Sequence, residues 1–150
     1  MKTNGVLMLG VCLLTLTMCR FMDTKKGVPN EQINSDLNNK TVKFNGGKDQ
    51  WYFSPDYEKC FLVEDAEVTA SDALVAVRVS SWYQSDITKL YMTAIGEMLL
   101  HYKKDGDNNW VLERIEPRDA TLAGISDEEE FKQFLDKHTP VCKGFRHTSY

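Results

Sequence analysis

Leu90, Met92, Ala94, Gly96, Met98, Leu100 and Tyr102 stand at alternate positions of one stretch, and only an extended strand, with its period of two, puts all of them on a single face. A strand of that length coils with the twist common to sheets, and the glycine in its middle predicts a bulge or bend there. It cannot stand alone. Lys104-Asp105-Gly106-Asp107 supplies a hairpin turn, and beyond it Trp110, Leu112 and Arg114 alternate with Val111, Glu113 and Ile115 in a return strand. Upstream, Ala73, Val75, Val77 and Val79 share one face, with Arg78 and Ser80 on the other, and a polar loop from Gln84 to Lys89 joins this strand to the long one. From Cys60 onward the pattern is therefore antiparallel β.

Two helices flank these strands. Pro29-Asn30-Glu31 opens a segment in which Ile33 and Leu37 lie four apart on one helical face before Asn38 and Asn39 end it. Ser126 with Glu129 three residues on predicts a capping box, and Phe131, Phe134 and Leu135 line one face of a helix that Pro140 stops. Between the first helix and the sheet, Thr41-Val42-Lys43-Phe44 turns at Asn45-Gly46-Gly47 into an aromatic strand, Trp51-Tyr52-Phe53, ending at Pro55. The expected fold is α+β: a curved antiparallel sheet packed on a short N-terminal helix, with a further C-terminal helix.

The start of the chain is of another kind. Val6 to Met18 reads VLMLGVCLLTLTM behind Lys2, too short an apolar run for a spanning helix and of the form of an export signal. It stops at Cys19, preceded by Leu16-Thr17-Met18, which resembles a bacterial lipobox at its leucine and carries Met18 where a small residue is usual. The expectation is a signal peptide over 1–18, lipidation at Cys19, a charged tether over 19–28 and one domain over 29–150, since 150 residues support a single modest core. Of the four cysteines, this leaves Cys60 and Cys142 for the folded part, and an exported chain with such a pair is expected to close one disulfide. The chain carries 18 Lys+Arg against 22 Asp+Glu, a net −4; loss of the signal removes only Lys2 and leaves −5. That balance, with no basic block among aromatics, argues against a nucleic-acid partner.

The early helix ending in Asp36-Leu37, the Trp51-Tyr52-Phe53 strand, and the long strands closing through Tyr102-Lys103-Lys104-Asp105-Gly106 and Trp110-Val111-Leu112 together resemble small exported bacterial domains of cystatin-like, or NTF2-like, architecture. The resemblance covers Pro29 to Glu116 and rests on the order of the elements. It implies a sheet wrapped about a helix around a cone-shaped apolar pocket, used by some members for catalysis or ligands and by many for association. Enzymes of that group place an Asp or His base and a Tyr donor in the pocket, which directs attention to Asp36, Asp56, Tyr52, Tyr91 and Tyr102.

Asp105, Asp107 and Asn109 fill the first, third and fifth places of a calcium loop, with Glu116 at the twelfth, but Trp110 occupies the sixth, where a glycine makes the turn, and a strand follows. A hairpin is the expected reading. His101, His138 and His147 are not at metal-ligand spacing; His101 shares a strand face with Glu97, and His138 suits the negative end of a helix. No nucleophile elbow, phosphate loop, dinucleotide fingerprint or Cys-x-x-Cys occurs, so no catalytic residue, cofactor or metal is assigned. Trp82 and Tyr83 leave a strand into a polar loop and are the expected contact residues for a protein or a small apolar ligand. The sequence thus points to a non-catalytic binding or assembly component of a bacterial envelope held to the membrane through Cys19, with a pocket enzyme or a freely secreted effector or inhibitor as alternatives.

Overall fold

The computed structural model describes residues 27–138. The expected signal peptide, Cys19, nearly all of the tether, Cys142 and His147 lie outside them. Helix α1 (Asn30–Leu37) leads into β1 (Thr41–Phe44), a 3-10 turn (Asn45–Gly47) and β2 (Asp49–Tyr52); then come β3 (Glu58–Val68), β4 (Asp72–Gln84), β5 (Tyr91–Lys104), β6 (Trp110–Ile125) and α2 (Glu128–His138). β1 and β2 form a two-stranded antiparallel sheet, and β3-β4-β5-β6 a four-stranded antiparallel meander. The α+β architecture with a C-terminal helix is as expected.

Alternation along the meander sorts its side chains. Val75, Val77 and Val79 of β4, with Met98, Leu100 and Tyr102 of β5, join Ile33 and Leu37 of α1 and Val42, Phe44, Trp51 and Phe53 of the first hairpin in the main core. This inner face is thus covered by α1 and the β1-β2 hairpin. The outer face carries a second, smaller core at one end only, where Phe131 and Leu135 of α2 pack with Ile125, Trp82 and Tyr91. Val28, expected in the tether, is buried in the main core.

The hairpin docks on the meander at one point of close approach. A β-carbon added at Gly96 would stand 2.8 Å from the Phe44 ring and 3.0 Å from Cβ of Ala120, so only glycine admits the ring. The register of β5 against β6 shifts between Gly96 and Met98, the bulge expected there. Asn45 fastens the same place from the 3-10 turn: its side-chain amide donates to the Ala120 carbonyl at 2.8 Å and its oxygen accepts from the Ala120 N–H at 2.9 Å. Asn45, Gly46 and Gly47 all hold positive φ, of 54°, 66° and 86°, a backbone shape that asparagine and glycine adopt most readily.

Two local readings change and a third is borne out. β6 runs on past Ile115 to Ile125 and through Pro117, which an outermost strand tolerates because one side of its backbone needs no ladder partner. The cap of α2 is Asp127 rather than Ser126: its carboxylate accepts the Glu130 N–H at 2.8 Å and its carbonyl the Phe131 N–H at 3.0 Å. Asp105 spends Oδ1 inside its own hairpin, accepting the N–H groups of Asp107 and Asn109 at 2.9 Å each, while Asn108 takes φ 65°. The acidic spacing of that turn is accounted for by backbone bonding.

Replacing Gly96 with Ala is expected to destabilise the fold by about 1–3 kcal/mol through overpacking against Phe44. Asn45→Ala is expected to cost a similar amount, about 1–3 kcal/mol, by stranding the Ala120 amide and carbonyl. Urea unfolding of both variants, read at an unchanged denaturant slope, checks the two values.

Candidate functional site

Tyr83 and Trp82 are neighbours in sequence and opposites in space. Tyr83 points to the inner face, where its ring stacks on Tyr57 at 4.1 Å and 14° and meets Trp51 at 5.9 Å; Trp82 points to the outer face and packs under α2. The structure therefore does not bring the two expected contact residues together. Tyr83 instead heads a cluster with Trp51 and Tyr57 that sequence reasoning missed, because Tyr57 lies in the connection before β3 and its partnership follows from the β3-β4 register, in which Glu58 faces Trp82. Both stacked tyrosines are half-buried. The Tyr57 phenol is held above its ordinary range by burial and by the adjacent Tyr83.

The surroundings of this cluster are polar and ordered. Lys59 bonds the Asn38 side chain at the end of α1, and partial burial lowers its amine pKa. The Tyr52 hydroxyl donates to Asn39 at 2.8 Å. In the loop between β4 and β5, Ser85 N–H donates to the Leu90 carbonyl at 2.9 Å and Lys89 N–H to the Ser85 carbonyl at 2.8 Å, with Lys89 at φ 59°. That frame leaves Ile87 93% exposed. Gly27, the first described residue, lies at the other end of the sheet, where a β-carbon on it would stand 3.7 Å from Val68.

Of the residues singled out for a pocket, Asp36 and Tyr102 meet. Asp36 lines an open groove of about 390 Å³ with Ser35, Asn38, Lys40, Trp110 and Leu112, and its charge acts on the Tyr102 phenol beneath. Tyr102 is 2% exposed. Burial first, and Asp36 second, raise its pKa well above the ordinary value of 10.0. Neither the buried Asp36 Oδ2 nor the Tyr102 hydroxyl makes a well-aligned hydrogen bond, so the two face each other without closing the contact. Tyr91 stacks on Phe131 at 4.6 Å, and Asp56 is exposed in the β2-β3 connection; neither joins the groove.

The histidines take part in side-chain contacts. His101 meets Glu116 at 3.1 Å and Arg114 at 3.1 Å, and the Glu116 contact is the first cause of a lowered Glu116 pKa. Glu97 pairs with Arg78 at 3.1 Å, which also reaches Glu64 at 2.8 Å. The His138 ring lies 4.5 Å from that of Phe134. Among the described residues no group of three or more His, Cys, Asp or Glu is placed to hold a metal ion, and no helix is long and apolar enough to cross a membrane. Cys60 is buried on the outer face of β3 and is not a free thiol.

No family model, curated protein or solved structure matches this chain.

The Tyr102 shift has a definite sign. The folded state keeps this phenol protonated where the unfolded chain ionises, so the folded state binds more protons and stability falls as pH rises above about 10. Tyr57 acts in the same direction. Tyr102→Phe is expected to remove the larger part of the alkaline loss, read as unfolding midpoints at pH 8 and pH about 10.5, with little change at pH 8 because no aligned hydrogen bond is given up.

Proposed function

We propose that this protein is an exported, lipid-anchored binding domain of a bacterial envelope that presents one end of its sheet to a protein partner. The observation that carries the reading is polarity. Gly27, the first described residue, lies beside Val68, whereas Tyr57, Tyr83 and the framed loop bearing Ile87 stand at the far end of β4, roughly 30 Å away at the usual rise of a strand. An anchor at Cys19 would therefore hold the Val68 end toward the leaflet and turn the aromatic end outward. A stacked tyrosine pair and an isoleucine on a hydrogen-bonded loop lose little conformational freedom on binding, the condition under which a small contact area yields affinity.

Cys60 and Cys142 form the bridge in this reading, supported by burial of Cys60 and by its not being a free thiol. The cystatin-like or NTF2-like resemblance fits the same picture of a sheet used for association. A pocket enzyme is the second reading, favoured by Asp36 facing Tyr102: a phenol kept protonated suits a proton donor. It ranks lower because Tyr102 is sealed beneath the groove rather than lining it.

Cys19→Ser is expected to move the protein out of the membrane fraction, and an unmodified wild-type N-terminus by mass would overturn the anchor. A photo-crosslinking residue at Ile87 is expected to label protein, and one at Ala70, in the turn beside Val68, to label lipid. Lipid labelling from Ile87 would reverse the proposed orientation.

A further inference from the structure

At the aromatic end of the sheet two phenols lie face to face. Glu58 pairs with Trp82, so Tyr57, one residue earlier, and Tyr83, one residue later, stand opposite each other where the β3-β4 ladder ends, at the spacing that lets cross-strand side chains touch. Their ring centroids are 4.1 Å apart and their planes 14° from parallel. The Tyr83 hydroxyl is also the hydrogen-bonding neighbour of the Tyr57 phenol, so the two rings point the same way and the carbons beside one hydroxyl lie against those beside the other. Trp51, buried, tilts against both rings at 6.0 and 5.9 Å and backs the pair on the protein side. Both tyrosines are half-buried, so part of each ring stays at the surface. The other described tyrosines are placed differently: Tyr91 stacks on Phe131, Tyr102 is fully buried, and Tyr52 donates to Asn39.

We propose that Tyr57 and Tyr83 are an oxidative modification site, at which a haem peroxidase using hydrogen peroxide joins the two rings into an intramolecular dityrosine. Each phenol gives up one electron and its hydroxyl proton to become a phenoxyl radical. The two radicals form a carbon-carbon bond between the ring carbons next to their oxygens, and the hydrogen on each of those carbons then passes through solvent to the oxygen beside it, restoring both hydroxyls and both aromatic rings. In balance, two C–H bonds break and one C–C bond forms, while two electrons and two protons go to the peroxide, whose O–O bond breaks to give two waters. The unpaired electron on such a carbon occupies an orbital that stands out of the ring plane, so the new bond forms between ring faces, and the stacked pair already holds that approach. Fold and stack have brought the two reactants together in advance, which favours coupling within the chain over coupling between chains. The product is a covalent staple between the β2-β3 connection and β4, and like any cross-link it restricts the unfolded chain. It stiffens the end of the sheet that the preceding subsection turns toward a partner, and it does not depend on that reading.

The test treats the full mature chain carrying Cys19→Ser, at low protein concentration, with a haem peroxidase and limiting hydrogen peroxide. The expected product is a single chain lighter by two hydrogen atoms, with the blue fluorescence of dityrosine and a proteolytic fragment in which the peptides holding Tyr57 and Tyr83 are joined. Its urea midpoint is expected to lie above that of the untreated chain. Tyr57→Phe and Tyr83→Phe keep a ring in the stack and remove the phenol, so each is expected to lower the yield at least about tenfold with little change in the untreated midpoint, whereas Tyr52→Phe leaves the yield as it was. Where one phenylalanine variant fails to fold, the other variant and the fragment map of the unvaried chain decide. No dityrosine in the treated chain, a fragment joined through Tyr52, or undiminished yield in either Tyr57→Phe or Tyr83→Phe would overturn the site. Coupling that joins two chains and falls away on dilution would overturn it in favour of a surface reaction between copies. Photo-crosslinking from Ile87 reads the partner separately, so loss of one result leaves the other standing.

Discussion

The Phe44 ring resting on the bare backbone of Gly96 is the contact on which the rest of the inner core depends. The first hairpin shares no ladder with the meander, so side chains alone attach it, and they do so where β5 has no side chain to offer and its register with β6 slips. Asn45 then treats β6 as a peptide would, giving one donor and one acceptor to Ala120. With the hairpin seated, Val42, Trp51 and Phe53 fill the space over the valines of β4 and α1 completes the cover. Without it, a four-stranded sheet would expose one apolar face, which exchange with water would not sustain.

The two faces of the meander are used for different ends. On the inner face, the central side chains are buried, with the aromatic cluster and the groove beside Asp36 as partly open margins. On the outer face, charges form cross-strand ties: Glu64 with Arg78, Arg78 with Glu97, His101 with Glu116, Lys103 with Glu113. Exposed pairs of this kind contribute little to stability, of order 0–1 kcal/mol each. Their larger effect is on association, because charged side chains along β3 and β6, together with Pro117 and the bulges in both, discourage another strand from adding to either edge.

Polar groups inside the domain divide in the same way. Gln32 donates to the Trp110 carbonyl at 2.5 Å and so ties α1 to the start of β6, while Lys104 lies over the Trp110 ring at 4.4 Å. Trp51 Nε1 and the hydroxyls of Ser80, Ser81 and Thr93 are buried without a hydrogen-bond partner, and so are Asp36 Oδ2 and the Tyr102 hydroxyl, a carboxylate and a phenol brought face to face beneath a groove. Leaving such groups unmade costs stability, and the arrangement persists because the α1 residues on either side, Ile33 and Leu37, are fully buried and set where Asp36 must stand.

Local pattern carried much of this protein. The alternating row from Met92 to Tyr102, the glycine bulge within it, the Asn45-Gly46-Gly47 and Asp105 turns, the Ile33 and Leu37 face and the apolar face of α2 were all legible in the chain, because each follows from a period of two or 3.6 or from backbone shapes that few residues allow. Pro117 obscured the end of β6, since whether a proline is tolerated depends on which strand lies outermost. Trp82 and Tyr83 looked like one contact surface, yet adjacent strand residues face opposite ways, and the element covering each face comes from elsewhere in the chain: α2 over Trp82, Tyr57 and Trp51 beside Tyr83. His101 likewise meets Glu116 on a neighbouring strand, a contact that depends on register. The sequence by itself determined the elements and the face of each residue within them; tertiary structure decided which faces meet, because strand register and the docking of α1, the hairpin and α2 are set by contacts between residues distant in the chain.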